Sequence, residues 1–271
     1  MESQVVFTRS STWSTLPVDE FYKQLTFEEY RAGRLETIEV SARELQPDYL
    51  TVTNEPSTEA QLTKQASLAD PAQYAELATV LAGGAHEAKS RQTLVGAGLG
   101  TWERSYVELA EAYARQPGID FINIHIYPVN QGLLDRALEI ADIALRNNKK
   151  VVLGEIGLYK IRDSEIRRRA GIAGSVEIYS RDVFAFWQPL DMKFLEAIYL
   201  LSQAKNVDYI SYFWNRNFFA YLDYQRNAGS QPRALMRQMN QAASQALRQG
   251  EFSETGLYYQ ELARRAIGSI A

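Results

Sequence analysis

Residues 119–157 read IDFINIHIYPVNQGLLDRALEIADIALRNNKKVVLGEIG. Two short runs rich in Ile, Val, Phe and Tyr, Ile119–Tyr127 and Lys150–Gly157, flank a stretch from Gly132 to the Asn147-Asn148 stop. The outer runs have strand composition, and the middle carries apolar residues at helical spacing. A connection of that length is too long for a hairpin, so the two strands run parallel with a helix crossing between them. The same alternation extends outward. Strand-like runs occur at Gln4–Thr8, Asp48–Asn54, Thr93–Gly98 and Val207–Trp214. Helical patterns fill 17–46, the stretch opened by Asp70-Pro71, the stretch after Trp102, 194–205, 234–248 and 254–269. Strands alternating with helices give an α/β fold whose parallel sheet is covered by helices.

Composition narrows the chemistry. The chain has 271 residues, 46% hydrophobic and 23% charged, and an α/β barrel needs about 250 residues. With 29 basic and 33 acidic residues the net charge is −4, and no basic stripe points to nucleic acid. Zero cysteines exclude a disulfide framework, a zinc–thiolate site and a cysteine nucleophile. The two histidines, His86 and His125, are too few for a multi-histidine metal centre. No apolar run is long enough for a membrane span, and the opening MESQVVFTRSS has no signal-peptide core. Gly96-Ala97-Gly98-Leu99-Gly100 lacks the spacing of a dinucleotide fingerprint and reads more plainly as a tight turn after a strand. His86, on a helical stretch, is expected at the surface.

Acidic residues stand at the C-terminal ends of two strands, where parallel barrels place their reacting groups. In PDYLTVTNEPS, Pro56 forces Glu55 into an extended conformation, and alternation puts Thr51, Thr53 and Glu55 on one face. In KKVVLGEIGLY, Val151, Leu153 and Glu155 share a face, and Gly154 and Gly157 leave room for a ligand to approach. Two glutamates at one mouth suit glycoside hydrolysis, in which one protonates the leaving oxygen and the other attacks the anomeric carbon.

These residues resemble the clan A glycoside hydrolases, retaining enzymes on a (β/α)8 TIM barrel. Asn54-Glu55-Pro56 matches the motif that closes their fourth strand. The resemblance implies Glu55 as acid/base and Asn54 as a hydrogen-bond partner of the sugar 2-hydroxyl. Counting strands from Glu55 puts Glu155 on the seventh, where the family carries its nucleophile. His125 and Tyr127 match polar positions of the sixth strand, with the tyrosine expected to hydrogen-bond the nucleophile. Trp214, with Tyr212 on the same face, matches the sugar platform that closes the eighth strand. Leu158–Asp191 forms a long segment after strand seven, and its aromatics, Trp187 among them, either line an extended cleft or anchor the loop. SVEIYS within it has the look of a short hairpin.

The implied activity is hydrolysis of a β-linked polysaccharide or oligosaccharide by double displacement. It requires no metal or cofactor and has no nucleic-acid or membrane partner. Localisation stays open, the resemblance allowing a secreted or periplasmic enzyme. The competing reading is a carbohydrate-binding barrel without catalysis, because the arginine that the family places at the end of its second strand has only Arg9 as a substitute. A lyase or aldolase would want a lysine at a strand end, and Lys149 and Lys150 precede theirs. If Asp48–Asn54 is strand four, only strands three to eight are visible in a single barrel-type domain of residues 1–271, closed by helices over 232–271. The N-terminal side is then incomplete, and its open edges favour pairing with a second copy.

Overall fold

The computed structural model describes residues 1–2, 18–162, 164–165, 175–213 and 215–268. The expected strand at Gln4–Thr8, Arg9 and Trp214 lie outside them. The chain is α/β, and among the described residues five strands form one curled parallel sheet: β1 (Tyr49–Thr51), β2 (Leu94–Gly100), β3 (Phe121–Ile126), β4 (Lys150–Ile156) and β5 (Val207–Tyr212). Strand order in the sheet follows chain order. Two compact units divide the chain.

The first unit comprises Met1–Ile126, Leu133–Glu155 and Lys205–Ser211. It holds helices α1 (Val18–Tyr22), α2 (Phe27–Val40), α3 (Pro56–Thr63), α4 (Pro71–Ala88) and α5 (Tyr106–Arg115), and most of α6 (Gln131–Arg146). Residues 17–46 are not one continuous helix. A capping box at Thr26, whose hydroxyl accepts from Glu29 N while Glu29 bonds back to Thr26 N, starts α2 afresh. α4 begins as its sequence indicates, with Asp70 accepting from Ala72 N and Gln73 N and Pro71 in the first turn. His86 is half-buried rather than at the surface, its Nε2 2.9 Å from Gly118 O.

Alternation divides the sheet into two faces. Val95, Ala97 and Leu99 of β2 and Ile122, Ile124 and Ile126 of β3 are fully buried, and α4 and α5 pack on these strands. On the opposite face, β2 offers Gly96, Gly98 and Gly100, in register with Phe121, Asn123 and His125. The glycine run is therefore the second half of a strand and not a turn. The reason is packing: a Cβ on Gly96 would collide with the Phe121 ring, and one on Gly98 with the backbone of Thr53 and Asn54.

Curling brings the two outer strands together. The Tyr49 hydroxyl of β1 donates to Asp208 Oδ2 of β5 at 2.8 Å, and the Tyr49 and Tyr209 rings meet edge-on at 5.1 Å. In a flat sheet, strands four places apart would stand roughly 19 Å from each other. Lys150 Nζ reaches the same Asp208 oxygen at 2.5 Å. Alongside β1, Met1 O accepts from Thr51 N at 2.9 Å and Glu2 bridges Thr51 in parallel.

The second unit comprises Tyr127–Gly132, Ile156–Ala204 and Tyr212–Ala271. Its helices are α7 (Ser175–Tyr179), α8 (Gln188–Ala204), α9 (Tyr224–Asn227), α10 (Pro232–Gln249) and α11 (Glu254–Gly268). The long segment after β4 is thus partly helical, and SVEIYS forms α7 instead of a hairpin. An isolated hairpin is marginal in water, whereas α7 buries Ile178 and packs on α10. Val183, Phe184, Leu235 and Met239 make a local core. No helix of the described residues is long and apolar enough to cross a membrane.

Candidate functional site

β3 carries a polar pair, Asn123 and His125, in an otherwise apolar strand, and both are fully buried on the glycine-lined face. Three carboxylates converge on His125. Glu55 Oε1 lies 2.7 Å from its Nδ1, Glu2 Oε1 lies 3.6 Å from its Nε2, and Glu155 Oε2 lies 4.0 Å from Nδ1. Burial alone would drive the imidazole toward its neutral form. The bonds and charges of Glu2 and Glu55 outweigh that and raise its pKa from 6.5 to about 10. The centre is an imidazolium set among glutamates at neutral pH.

Each carboxylate arrives by a local route. Glu55 is extended (φ −139°, ψ 96°), as a residue before proline should be, and it caps α3, which starts at Pro56. One turn on, Glu59 is fully buried and fixes this corner. Glu59 Oε1 accepts from Asn54 N at 3.4 Å, and its Oε2 accepts from the Tyr30 hydroxyl at 3.3 Å. Burial pushes the Glu59 pKa up against the opposing charge of the buried Arg34, which donates to Val52 O at 2.7 Å.

Glu155 reaches the centre from the end of β4. The β4 position that points across the sheet at Asn123 is Gly154, one residue earlier, and a Cβ there would overlap Asn123 Oδ1 and Glu2 Oε1. The space that the sequence suggests for a ligand beside Gly154 is therefore filled by protein. Asn123 holds both neighbours, its Oδ1 accepting from Gly154 N at 2.7 Å and its Nδ2 donating to Glu2 Oε1 at 2.8 Å.

The structure thus brings together Glu55, Glu155 and His125. Asn54 adjoins them in the chain. It is 2% exposed, and its side-chain oxygen and nitrogen have no hydrogen-bond partner among the described residues. A buried amide left unpaired costs about 1–3 kcal/mol, which a bound donor or acceptor would recover.

The aromatic residues expected at the site belong to the second unit. Tyr127 stacks on Tyr159 at 4.6 Å and meets Phe213 edge-on. Tyr212 packs edge-on against Phe218 and Tyr259, and burial pushes its pKa up. Trp187 donates its indole N–H to Arg181 O at 2.8 Å and packs on the Val183–Phe184 core, so it anchors its segment locally.

Sequence reading missed Glu2 and Asn123. Asn123 was legible, as a polar residue two positions before His125 in an apolar strand. Glu2 carries no local signal, because its place depends on pairing with Thr51. Glu2, His125 and Glu155 also form a possible cation-holding set, with one ligand atom from each within 4.8 Å of the others. No protein-family model, curated protein or solved structure matches this chain.

Proposed function

We propose that this chain is a retaining glycosidase on a (β/α)8-type barrel, hydrolysing a β-linked polysaccharide or oligosaccharide. One observation carries the reading: Glu55, between β1 and α3, and Glu155, in β4, lie 2.7 and 4.0 Å from the Nδ1 of one imidazole. Glu55 Oε1 and Glu155 Oε2 can be no farther apart than the sum of those distances. That ceiling admits the spacing of about 5–5.5 Å that double displacement uses.

In this reading Glu155 attacks the anomeric carbon and forms a glycosyl ester. Glu55 gives a proton to the departing oxygen, and His125 holds that proton in reserve as the imidazolium partner of Glu55. The proton passes from His125 to Glu55 and on to the leaving group. Glu55, now a base, takes a proton from the incoming water and returns it to His125 as the ester is hydrolysed.

The test is a panel of aryl β-glycosides and β-linked polysaccharides, followed by Glu155→Ala with added azide. Release of a glycosyl azide of inverted configuration is the expected result. A folded wild type that binds sugars without cleaving any would instead assign a carbohydrate-binding barrel. A second reading rests on the Glu2–His125–Glu155 set, a divalent cation replacing the imidazole proton. It predicts hydrolysis that chelator abolishes and Mn²⁺ or Zn²⁺ restores.

A further inference from the structure

Beside the chain that leaves Glu55, a cleft of about 320 Å³ opens in the first unit. Its lining includes Pro56 and Ser57 at the start of α3, Trp102, Glu103 and Ser105 between β2 and α5, and Leu109. Its size falls at the small end of the ~300–1,000 Å³ range of small-molecule sites, on the scale of a single sugar ring. Neither Trp102 nor Glu103 belongs to the His125 centre.

One anionic group stands in the wall. Glu103 is 6% exposed, and its Oε1 accepts from Ser57 N at 3.1 Å and Ser57 Oγ at 2.7 Å. A carboxylate has about four acceptor sites, and the second Glu103 oxygen has no hydrogen-bond partner among the described residues. Burial holds the Glu103 pKa above the usual carboxylate value although the Ser57 bonds oppose it. A half-buried indole adjoins this carboxylate in the chain, and Gly100 gives it room, since a Cβ there would overlap the Trp102 ring.

The loop is braced. Thr101 N donates to His125 O at 3.0 Å and Glu103 N to Gly100 O at 3.1 Å. Arg136 Nη1 donates to the carbonyls of Thr101 and Glu103 at 3.1 and 3.3 Å. Part of the duty of Glu103 is structural, because Ser57 N is one of the α3 amides without an intrahelical partner. A short cap residue in α3 itself would meet that need. Reaching across from the β2 loop with a longer carboxylate also leaves an acceptor beside the cleft.

We infer that this cleft is the subsite for the leaving group and that it takes a pyranose ring, whose hydroxyls donate to Glu103 while the Trp102 indole forms an apolar wall. The inference rests on the glycosidase reading above and adds where the leaving sugar sits and which side chains hold it. Two observations support the position: Pro56 and Ser57 in the lining directly follow Glu55, the residue that protonates the departing oxygen, and the Glu103 carboxylate is near enough to Glu55 to feel its charge. Glu103 is a positioning residue that orients this sugar.

The test compares wild type with Glu103→Gln on two substrate sets. One is the β-linked disaccharides of glucose, galactose, mannose and xylose; the other is the dinitrophenyl glycosides of the same sugars, whose leaving group uses no sugar subsite. The expected result is a loss of kcat/KM on the cleaved disaccharide at least tenfold greater than on its aryl counterpart. Equal losses on both sets, with or without a lowered Tm, would reduce Glu103 to a helix cap and overturn the inference. So would a wild type that cleaves the aryl glycosides and no disaccharide.

If wild type cleaves neither set, the glycosidase reading fails and binding decides the cleft separately. Methyl β-glycosides of the four sugars should then move the Trp102 indole NMR signal, one of four tryptophans, in wild type and not in Glu103→Gln. No movement with any of them overturns the sugar assignment as well.

Discussion

Raising the pH from 7 to 9.5 should cost this protein about 3 kcal/mol of folding stability through one residue, His125. The imidazole is fully buried between Glu55, 2.7 Å from Nδ1, and Glu2, 3.6 Å from Nε2, and its pKa stands at about 10 against an ordinary 6.5. A group whose pKa is higher folded than unfolded binds more protons in the native state. Its contribution is therefore complete below pH 6.5 and disappears as the pH rises through about 10. The gap between the two values corresponds to about 5 kcal/mol. About 4 kcal/mol of it remains at pH 7 and about 1 kcal/mol at pH 9.5. Urea unfolding of wild type and His125→Asn across this window measures the loss. The wild-type curve should fall by about 1.4 kcal/mol per pH unit more steeply than that of the variant, which has no imidazole at this position. Parallel curves would refute the reasoning. Should the variant fail to fold, the imidazole NMR titration of wild type decides, since only His86 needs to be told apart. A His125 midpoint near 6.5 would mean that the glutamates do not hold it charged.

Two further perturbations probe the frame around that centre. Gly154→Ala puts a methyl where Asn123 Oδ1 and Glu2 Oε1 now sit. It should destabilise by about 1–3 kcal/mol in thermal melts and lower the His125 pKa by displacing Glu2; a His125 titration identical to wild type would contradict the placement of Glu2. Arg34→Met strands the buried Glu59 carboxylate and should cost about 3–5 kcal/mol, most of it recovered by adding Glu59→Gln; a single variant that melts with wild type would show that the two charges do not depend on each other.

The order of elements was largely legible because it rests on local properties. The strands after Asp48 and the helices between them follow from apolar spacing, and the start of α4 from Asp70-Pro71. What misled was sequence whose cause lies elsewhere in the fold. Gly96, Gly98 and Gly100 have the form of a turn, yet they are strand residues kept small by the Phe121 ring, the Asn54 backbone and the Trp102 indole. Thr26 and Glu29 could have split residues 17–46, since a capping box is a local signal. Gly154 suggested space for a ligand, and only the folded chain shows Asn123 and Glu2 filling it.

The sequence by itself determined the class of the protein, a parallel α/β sheet, and the two glutamates at its strand ends. Strand period, proline before a helix and residue type are properties of a few consecutive residues, and they survive without knowledge of the rest. Tertiary structure decided that Glu55 and Glu155 meet at one imidazole, that Glu2 joins them, and that the resulting charge makes His125 a cation. Those outcomes depend on the curl that brings Tyr49 to Asp208 and on residues up to 153 positions apart, from Glu2 to Glu155, converging in space. Charge and proximity are properties of the curled sheet, and no local window of the chain contains them.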